Sequence, residues 1–390
     1  MIRNLFAGLL LVAVAALFFV VPGQVDRASN RVVGTPPPIS ERAAALYATM
    51  DVVDLHADPL LWDRDLLDRQ AHGQVDLPRL VRGRVAVQVF GVVTQAPRGQ
   101  NYRSTRSDVL DMVTVLAVLQ RWPPGTWWSR RARAELLAAK LADAARRSTG
   151  DPDGELVVVR TTEDLDALLA ARHEGVRRVG GLLGLEGMQA LEGDPANVDV
   201  LFDAGLRMMA PTHFFDNAMA GSSGGVEKYG LTDAGRHAIA RAQQRGIVLD
   251  LAHASPATIR DVTALATAPL VVSHTGVQAT CPGPRNLSDA DVRAVARTGG
   301  VVGIGYWDGA VCGRAPADIA RAMVYVRDLV GAQHVGLGSD FDGGVTTAFD
   351  TRYLAVIVDA LLAQGMSEDE IRGVMGGNAL RVFRAVLPAR

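Results

Sequence analysis

Short apolar runs alternate with helical patterns from residue 39 to the C-terminus. The strand-like runs are VVDLH (52–56), VAVQVFGVV (85–93), GLLGLE (181–186), LRMMAPTH (206–213), IVLDLAH (247–253), LVVSH (270–274), VVGIGY (301–306) and HVGLGSD (334–340). Most are nearly continuous in apolar residues, the pattern of parallel strands buried on both faces. Helical spacing predicts helices over 107–121, 162–174, 232–245, 256–267, 289–298 and 317–331, with two more, 351–364 and 367–375, closing the chain. Thr232 and Ser288 stand at N-cap positions, and Ser367 with Glu370 forms a capping box. Eight strands alternating with helices predict a (β/α)8 barrel as one domain, 39–390. A doubly wound open sheet competes, but no G-x-G-x-x-G or Walker-type loop follows a strand. The stretch 94–150 reads as an insertion. Its Arg-rich run 130–147 is expected to be a surface helix packed by its Leu/Ala face; a lid or membrane-facing element is the alternative.

Leu5 to Pro22 is almost wholly apolar. Eighteen helical residues span ~27 Å, close to the hydrocarbon thickness of a bilayer. Residues 1–23 are therefore expected to be an anchor, or a signal segment if cleaved, that places the domain outside the cytoplasm. Residues 24–38, polar and then Gly- and Pro-rich, read as a linker.

Composition narrows the function classes. Forty basic and 42 acidic residues leave a net charge of −2, which gives no nucleic-acid footprint. With 48% hydrophobic and 21% charged residues the chain is not disordered. Two cysteines, Cys281 and Cys312, are too few for a disulfide scaffold or a thiolate zinc site. One bridge in an oxidising compartment, or two buried thiols, remain open.

The candidate chemistry lies at the C-terminal ends of the strands, where barrel active sites sit. The first strand ends D-L-H-A-D-P, so His56 and Asp58, two apart, face the same side. Glu186, His213, His253 and His274 end the third to sixth candidates, and Asp340 ends the eighth, with Asp342 just beyond. The remaining histidines, His72, His173, His237 and His334, fall in connections, in a helix or at a strand start, and are read as structural. Imidazoles and carboxylates converging in one mouth are costly to bury without a cation. Nitrogen and oxygen donors without thiolate suit a catalytic zinc site. His56 and Asp58, with Asp340 nearby, could hold one metal and His253 and His274 a second, with Glu186 bridging. Two metals ~3.5–4 Å apart would activate one bridging hydroxide.

The strings D-L-H-A-D-P, G-L-E-G, L-D-L-A-H-A-S, V-S-H-T, P-R-N-L-S-D, H-V-G-L-G-S-D-F-D-G and G-G-N-A-L-R-V-F resemble the motifs of the membrane (renal-type) dipeptidases, the M19 metallopeptidases, from about Asp51 to Phe383. The resemblance implies a zinc-dependent dipeptidase with two Zn2+ per chain. His56 and Asp58 would bind the first zinc, His253 and His274 the second, and Glu186 both. Asp340 would be the catalytic acid/base, and His213 would contact substrate and steady the oxyanion. Arg285 would pair bidentately with the substrate's C-terminal carboxylate, though a loop arginine bonded to backbone carbonyls is the plain alternative. Tyr306 would wall the pocket, and Cys281 with Cys312 would match an intrachain disulfide of the family. The resemblance also implies dipeptides with C-terminal D-residues and some β-lactams as substrates, and a homodimer. Unlike members with a C-terminal lipid anchor, this chain ends VLPAR, so membrane attachment is expected through the N-terminal segment. Two other functions fit the residues less fully: another amidohydrolase acting on cyclic amides or N-acyl amino acids, and a non-catalytic envelope binding protein.

Overall fold

The computed structural model describes Asn4, Phe6 and residues 15–389. The expected anchor, 1–23, lies largely outside them. Among the described residues no helix is long and apolar enough to cross a membrane.

Alternation of strands and helices builds an α/β fold on a curled, all-parallel sheet. Its strands are β1 (Val52–Ala57), β2 (Val85–Val93), β3 (Glu155–Val158), β4 (Arg178–Glu186), β5 (Leu206–Met209), β6 (Val248–Leu249), β7 (Val271–Thr275), β8 (Val301–Ile304) and β9 (Val335–Leu337). Eight follow one another in the order β6-β5-β4-β2-β1-β9-β8-β7, and β3 pairs with the first half of β4. One parallel bridge, Asp250 to Val271, joins the segment after β6 to β7. Apart from the half-buried edge strand β3, the sheet strands are buried on both faces, as their unbroken apolar runs require.

Caps fix most helix starts where the sequence places them. Thr232 accepts from the Gly235 amide, and Ser288–Asp291 and Ser367–Glu370 form reciprocal capping boxes. Three elements depart from expectation. β3 was not anticipated. Asn378–Val386 adds a C-terminal helix that buries Leu380, Val382 and Phe383 at the end of the sheet where strands begin; there the Asn378 side chain donates to the Ala332 and Val335 carbonyls at 2.8 Å. The expected linker 24–38 is not free chain: Val21–Ser29 is a helix with Pro22 in its first turn. The sequence hid this helix because an ion network holds it, not an apolar stripe. Asp26 is buried, 2.8 Å from Arg64 Nε and 3.0 Å from His72 Nε2. Arg64 reaches on to Asp342 at 2.9 Å, and Asn30 accepts from the Gly344 amide at 2.9 Å.

The 94–150 insertion contributes the helices Met112–Leu119 and Arg130–Arg147. Arg130–Arg147 packs through Ala134, Leu137 and Leu141, the expected Leu/Ala face. Its Arg133 is buried and bonds the Thr94 and Thr126 carbonyls at 2.6 Å, which pins the insertion to the end of β2.

Candidate active site

His56, Glu186 and His274 stand in the last residues of β1, β4 and β7, whereas Asp58, His213, His253 and Asp340 stand on the segments just past β1, β5, β6 and β9. β5 ends at Met209 because Pro211 has no N–H to continue the ladder. β6 ends at Leu249 because the Asp250 side chain replaces the backbone ladder, accepting from the Ser273 amide at 2.8 Å. His253, Asp340 and Asp342 all adopt positive φ, at 62°, 60° and 61°. Such backbone costs of order 1–3 kcal/mol per residue and concentrates at functional sites.

Six predicted residues meet around a seventh, Glu186. Its Oε1 lies 3.1 Å from His253 Nε2, 3.4 Å from His274 Nε2 and 3.7 Å from His56 Nε2; its Oε2 lies 3.5 Å from His213 Nε2. His56 Nε2 is also 3.4 Å from Asp58 Oδ1 and 4.0 Å from Asp340 Oδ1. Gly91 on β2 makes the room: a Cβ there would sit 1.9 Å from Asp58 Oδ1.

This donor set fits a cation. His253 Nε2 and His274 Nε2 face each other at 2.9 Å, and both nitrogens of His56 and Asp58 Oδ1 are buried without hydrogen-bond partners. Three groupings bring ligand atoms close enough to share an ion: His56–Glu186–His274, Glu186–His213–His253 and His56–Asp58–Asp340. Without an ion the electrostatics are unfavourable. Burial pushes Glu186 well above the carboxylate range and Asp340 up to about 8, against the pull of His56. Burial alone would depress His56, but Asp58, Glu186 and Asp340 together drive it well above the usual imidazole range. A cation among them would return the carboxyls to their charged forms.

Residues behind the cluster set its tautomers, and the sequence did not flag them. Ser273 Oγ donates to Asp250 Oδ2 at 2.6 Å and lies 2.9 Å from His274 Nδ1. Its single proton is spent on the carboxylate, so it accepts from Nδ1–H and leaves Nε2 as a lone pair toward the cluster. Ser339 Oγ similarly donates to Asp54 at 2.5 Å, just before Asp340. The available signal was a serine immediately preceding each of two strand-end site residues. His213 Nδ1 lies 3.2 Å from the Gln95 carbonyl, which can only accept. As a neutral ring, with burial lowering it to about 4, His213 presents Nε2 as an acceptor. Steadying an oxyanion would require the doubly protonated form.

The cluster opens into a cavity of 640 Å³ lined by Asp58, Glu186, His213, His253, Arg285 and Asp340 among others. Arg285 is buried, donates one N–H to the His274 carbonyl at 2.8 Å, and leaves Nε without a partner. Tyr306 does not wall the cavity. It packs edge-on to Phe341 in the core, and Trp307 lines the cavity instead, with Nε1 donating to Tyr102 Oη at 2.9 Å. One residue along an extended segment reverses the facing of the side chain.

Asp342 is a structural tie to Arg64, not a member of the cluster. His72 pairs with Asp26, His173 with Asp51 and His334 with the Gly300 carbonyl; His237 is exposed. Cys281 and Cys312 form a disulfide.

Comparison with known proteins gives a consistent answer. The sequence is 29% identical over 358 residues to dipeptidase aclJ of Aspergillus oryzae, covering 85% of this chain and 77% of that protein. It is 32% identical over 216 residues to dipeptidase verJ of Clonostachys rogersoniana, covering 54% and 56%. Among solved structures, a metallopeptidase from Rhodobacter sphaeroides, liganded with a phosphinate mimic of the dipeptide L-Ala-D-Ala, superposes with a TM-score of 0.68 at 25% identity, over 87% of this chain and 99% of its own. Dipeptidase AC, a metallopeptidase of family M19, gives 0.69 at the same identity and the same coverage. The family profile for membrane dipeptidases matches residues 40–389, so this chain belongs to the membrane dipeptidase family, peptidase family M19, and is a hydrolase of the metallo-dipeptidase class.

Proposed function

We propose that this protein is a dizinc dipeptidase on a (β/α)8 barrel, hydrolysing the single amide of a free dipeptide. The observation that carries the reading is Glu186, whose two oxygens lie within 3.7 Å of four imidazole nitrogens. His56 and Asp58 would hold one zinc, with Asp340 beside them, and His253 and His274 the other, with Glu186 common to both. When bound, zinc supplies a Lewis acid that polarises the scissile carbonyl and lowers the pKa of the attacking water.

The chain's own groups do the rest. Arg285 offers its free Nε to the substrate carboxylate; a guanidinium matches a carboxylate bidentately and limits the substrate to a short chain. Asp340 faces the cavity beside His56 and carries a proton from water to the leaving amine. His213, on the opposite side of Glu186, contacts the substrate through Nε2. Burial around the cluster excludes bulk water and strengthens these interactions. The Rhodobacter sphaeroides relative's ligand mimics L-Ala-D-Ala, which supports extending the substrate range to C-terminal D-residues; strained β-lactam amides belong to the same extension. The disulfide supports an exported domain, with the N-terminal apolar segment as its membrane anchor.

The test is metal analysis of the full chain together with turnover of a panel of L,L- and L,D-dipeptides before and after chelation. About two zinc per chain and chelator-sensitive hydrolysis are expected. Full zinc loading with no dipeptide cleaved would refute the reading, as would full activity in Glu186→Gln.

A further inference from the structure

The described half of the N-terminal segment reaches the active site. Val25 and Ser29 of helix Val21–Ser29 line the same cavity as Glu186 and Arg285. Beside them stand Val113, Leu116 and Leu119 from helix Met112–Leu119. The two helices pack against each other. Together with Leu61 and Trp62 they make one side of the cavity apolar.

Topology places this wall relative to the substrate. Going round the curled sheet, β2 and β7 are four strands apart by either route: through β1, β9 and β8, or through β4, β5 and β6 and then the Asp250–Val271 bridge. Arg285 lies on the segment after β7, and Met112–Leu119 lies on the segment after β2. Helix Val21–Ser29 is tied next to that side, through Arg64 and His72 on the segment after β1, the neighbour of β2, with Gly344 after β9 as a further tie, and it packs on Met112–Leu119. The carboxylate anchor and the apolar wall therefore face each other across the mouth, with Glu186 and its histidines between them. A dipeptide held by its carboxylate at Arg285, with its amide at the cluster, extends its other residue toward the wall.

We propose that helices Val21–Ser29 and Met112–Leu119 form a specificity subsite for a large apolar side chain on the N-terminal residue of the dipeptide. The inference rests on the dipeptidase reading above. It makes Val25 and Leu116 specificity-determining residues, and it makes the segment outside the family-matched region, 40–389, part of the substrate site. The helix is held there by the buried Asp26–Arg64 pair, so the wall is built in and does not depend on substrate to assemble.

The test uses the full-length, zinc-loaded chain and compares kcat/KM for Leu-Gly, Gly-Leu and Ala-Gly. Leu-Gly should exceed both others by about tenfold or more, in the range that apolar pockets achieve. Val25→Asn and Leu116→Asn should each lower the Leu-Gly to Ala-Gly ratio several-fold, mainly through KM. Because the readout is a ratio within one preparation, partial loss of folded enzyme does not mimic it. Equal cleavage of Leu-Gly and Gly-Leu, or an unchanged ratio in both variants, would overturn the subsite while leaving the dipeptidase reading intact. Absence of cleavage of any of the three would overturn the dipeptidase reading, and the subsite with it.

Discussion

Replacing Ser273 with alanine tests whether the residues behind the cluster shape it. The hydroxyl donates to Asp250 at 2.6 Å and accepts from His274 Nδ1 at 2.9 Å, and all three side chains are buried. In Ser273→Ala the buried Nδ1–H of His274 loses its acceptor. Leaving one buried polar group unpaired costs about 1–3 kcal/mol. His274 can escape that cost by moving its proton to Nε2, which removes the lone pair from the cluster. Either way the expense falls on cation binding: about 1–3 kcal/mol corresponds to roughly 5- to 150-fold weaker affinity, in line with the ~10- to 100-fold effects of residues behind metal ligands. The assay is zinc retention against a graded chelator series, with thermal unfolding of the metal-free protein as control. On the dizinc reading proposed above, one zinc should be lost at lower chelator concentration than in the wild type while the other is held. Unchanged retention of both, with normal folding, would refute the tautomer argument.

Further outcomes follow from individual contacts. Arg64→Met leaves Asp26 and Asp342, both almost fully buried, without their shared counter-ion and should cost about 3–5 kcal/mol in urea unfolding. Gly91→Ala places a methyl group 1.9 Å from Asp58 Oδ1 and should abolish activity with little change in stability of the metal-free protein, read by paired kcat and Tm measurements. Lys140 is half-buried over Trp122, with its ammonium on the Leu60 carbonyl, and desolvation lowers its pKa from 10.5 to about 8 against the pull of Asp63. Below pH 8 both folded and unfolded states hold this proton and the full burial cost is felt; between about pH 8 and 10.5 only the unfolded state keeps it, so stability from this group rises with pH. Lys140→Met should therefore raise stability at pH 7 by on the order of 2–3 kcal/mol, with the advantage shrinking toward pH 10.5 in urea titrations across that range.

The periodic part of the fold was legible in the residues, and the irregular part was not. Helices announced themselves because a cap is local: Ser288 with Asp291, or Ser367 with Glu370, needs only three residues of sequence. Strand cores announced themselves because burial on both faces demands an unbroken apolar run. Strand ends were overestimated at β5 and β6, where Pro211 and the Asp250 side chain end the ladder within an apolar context. The Tyr306–Trp307 exchange has the same origin: pattern reading assigns residues to a strand end, but facing depends on where the strand stops. Helix Val21–Ser29 was missed because Asp26 reads as solvent-exposed in any hydropathy pattern, and its partners Arg64 and His72 lie about 40 residues away. The ligand residues were found because histidine and acid at several strand ends form a pattern in themselves. Their supporting serines were missed because serine is ordinary anywhere.

Those serines tie the stability of the fold to the geometry of its site. At two seams of the sheet an aspartate side chain does the work of missing backbone pairing. Asp250 accepts from the Ser273 amide and hydroxyl where β6 meets β7, and Asp54 accepts from the Ser339 amide at 2.9 Å and from its hydroxyl where β1 meets β9. Each serine is followed directly by a residue of the cluster, His274 in one case and Asp340 in the other. A shift of either seam would therefore move a cluster residue, and a cation that fixes the cluster would hold both seams. A ligand that binds only the folded state stabilises it by about 2.7 kcal/mol at a hundred times its Kd. Here that energy acts on the two places where the sheet is held by side chains. The strained backbone of His253 and Asp340 is the cost of aiming those side chains inward. The same arrangement fits the single bridge, Asp250 to Val271, that joins the β6 segment to β7 among the described residues: the site lends support to the seam, and the seam aligns the site.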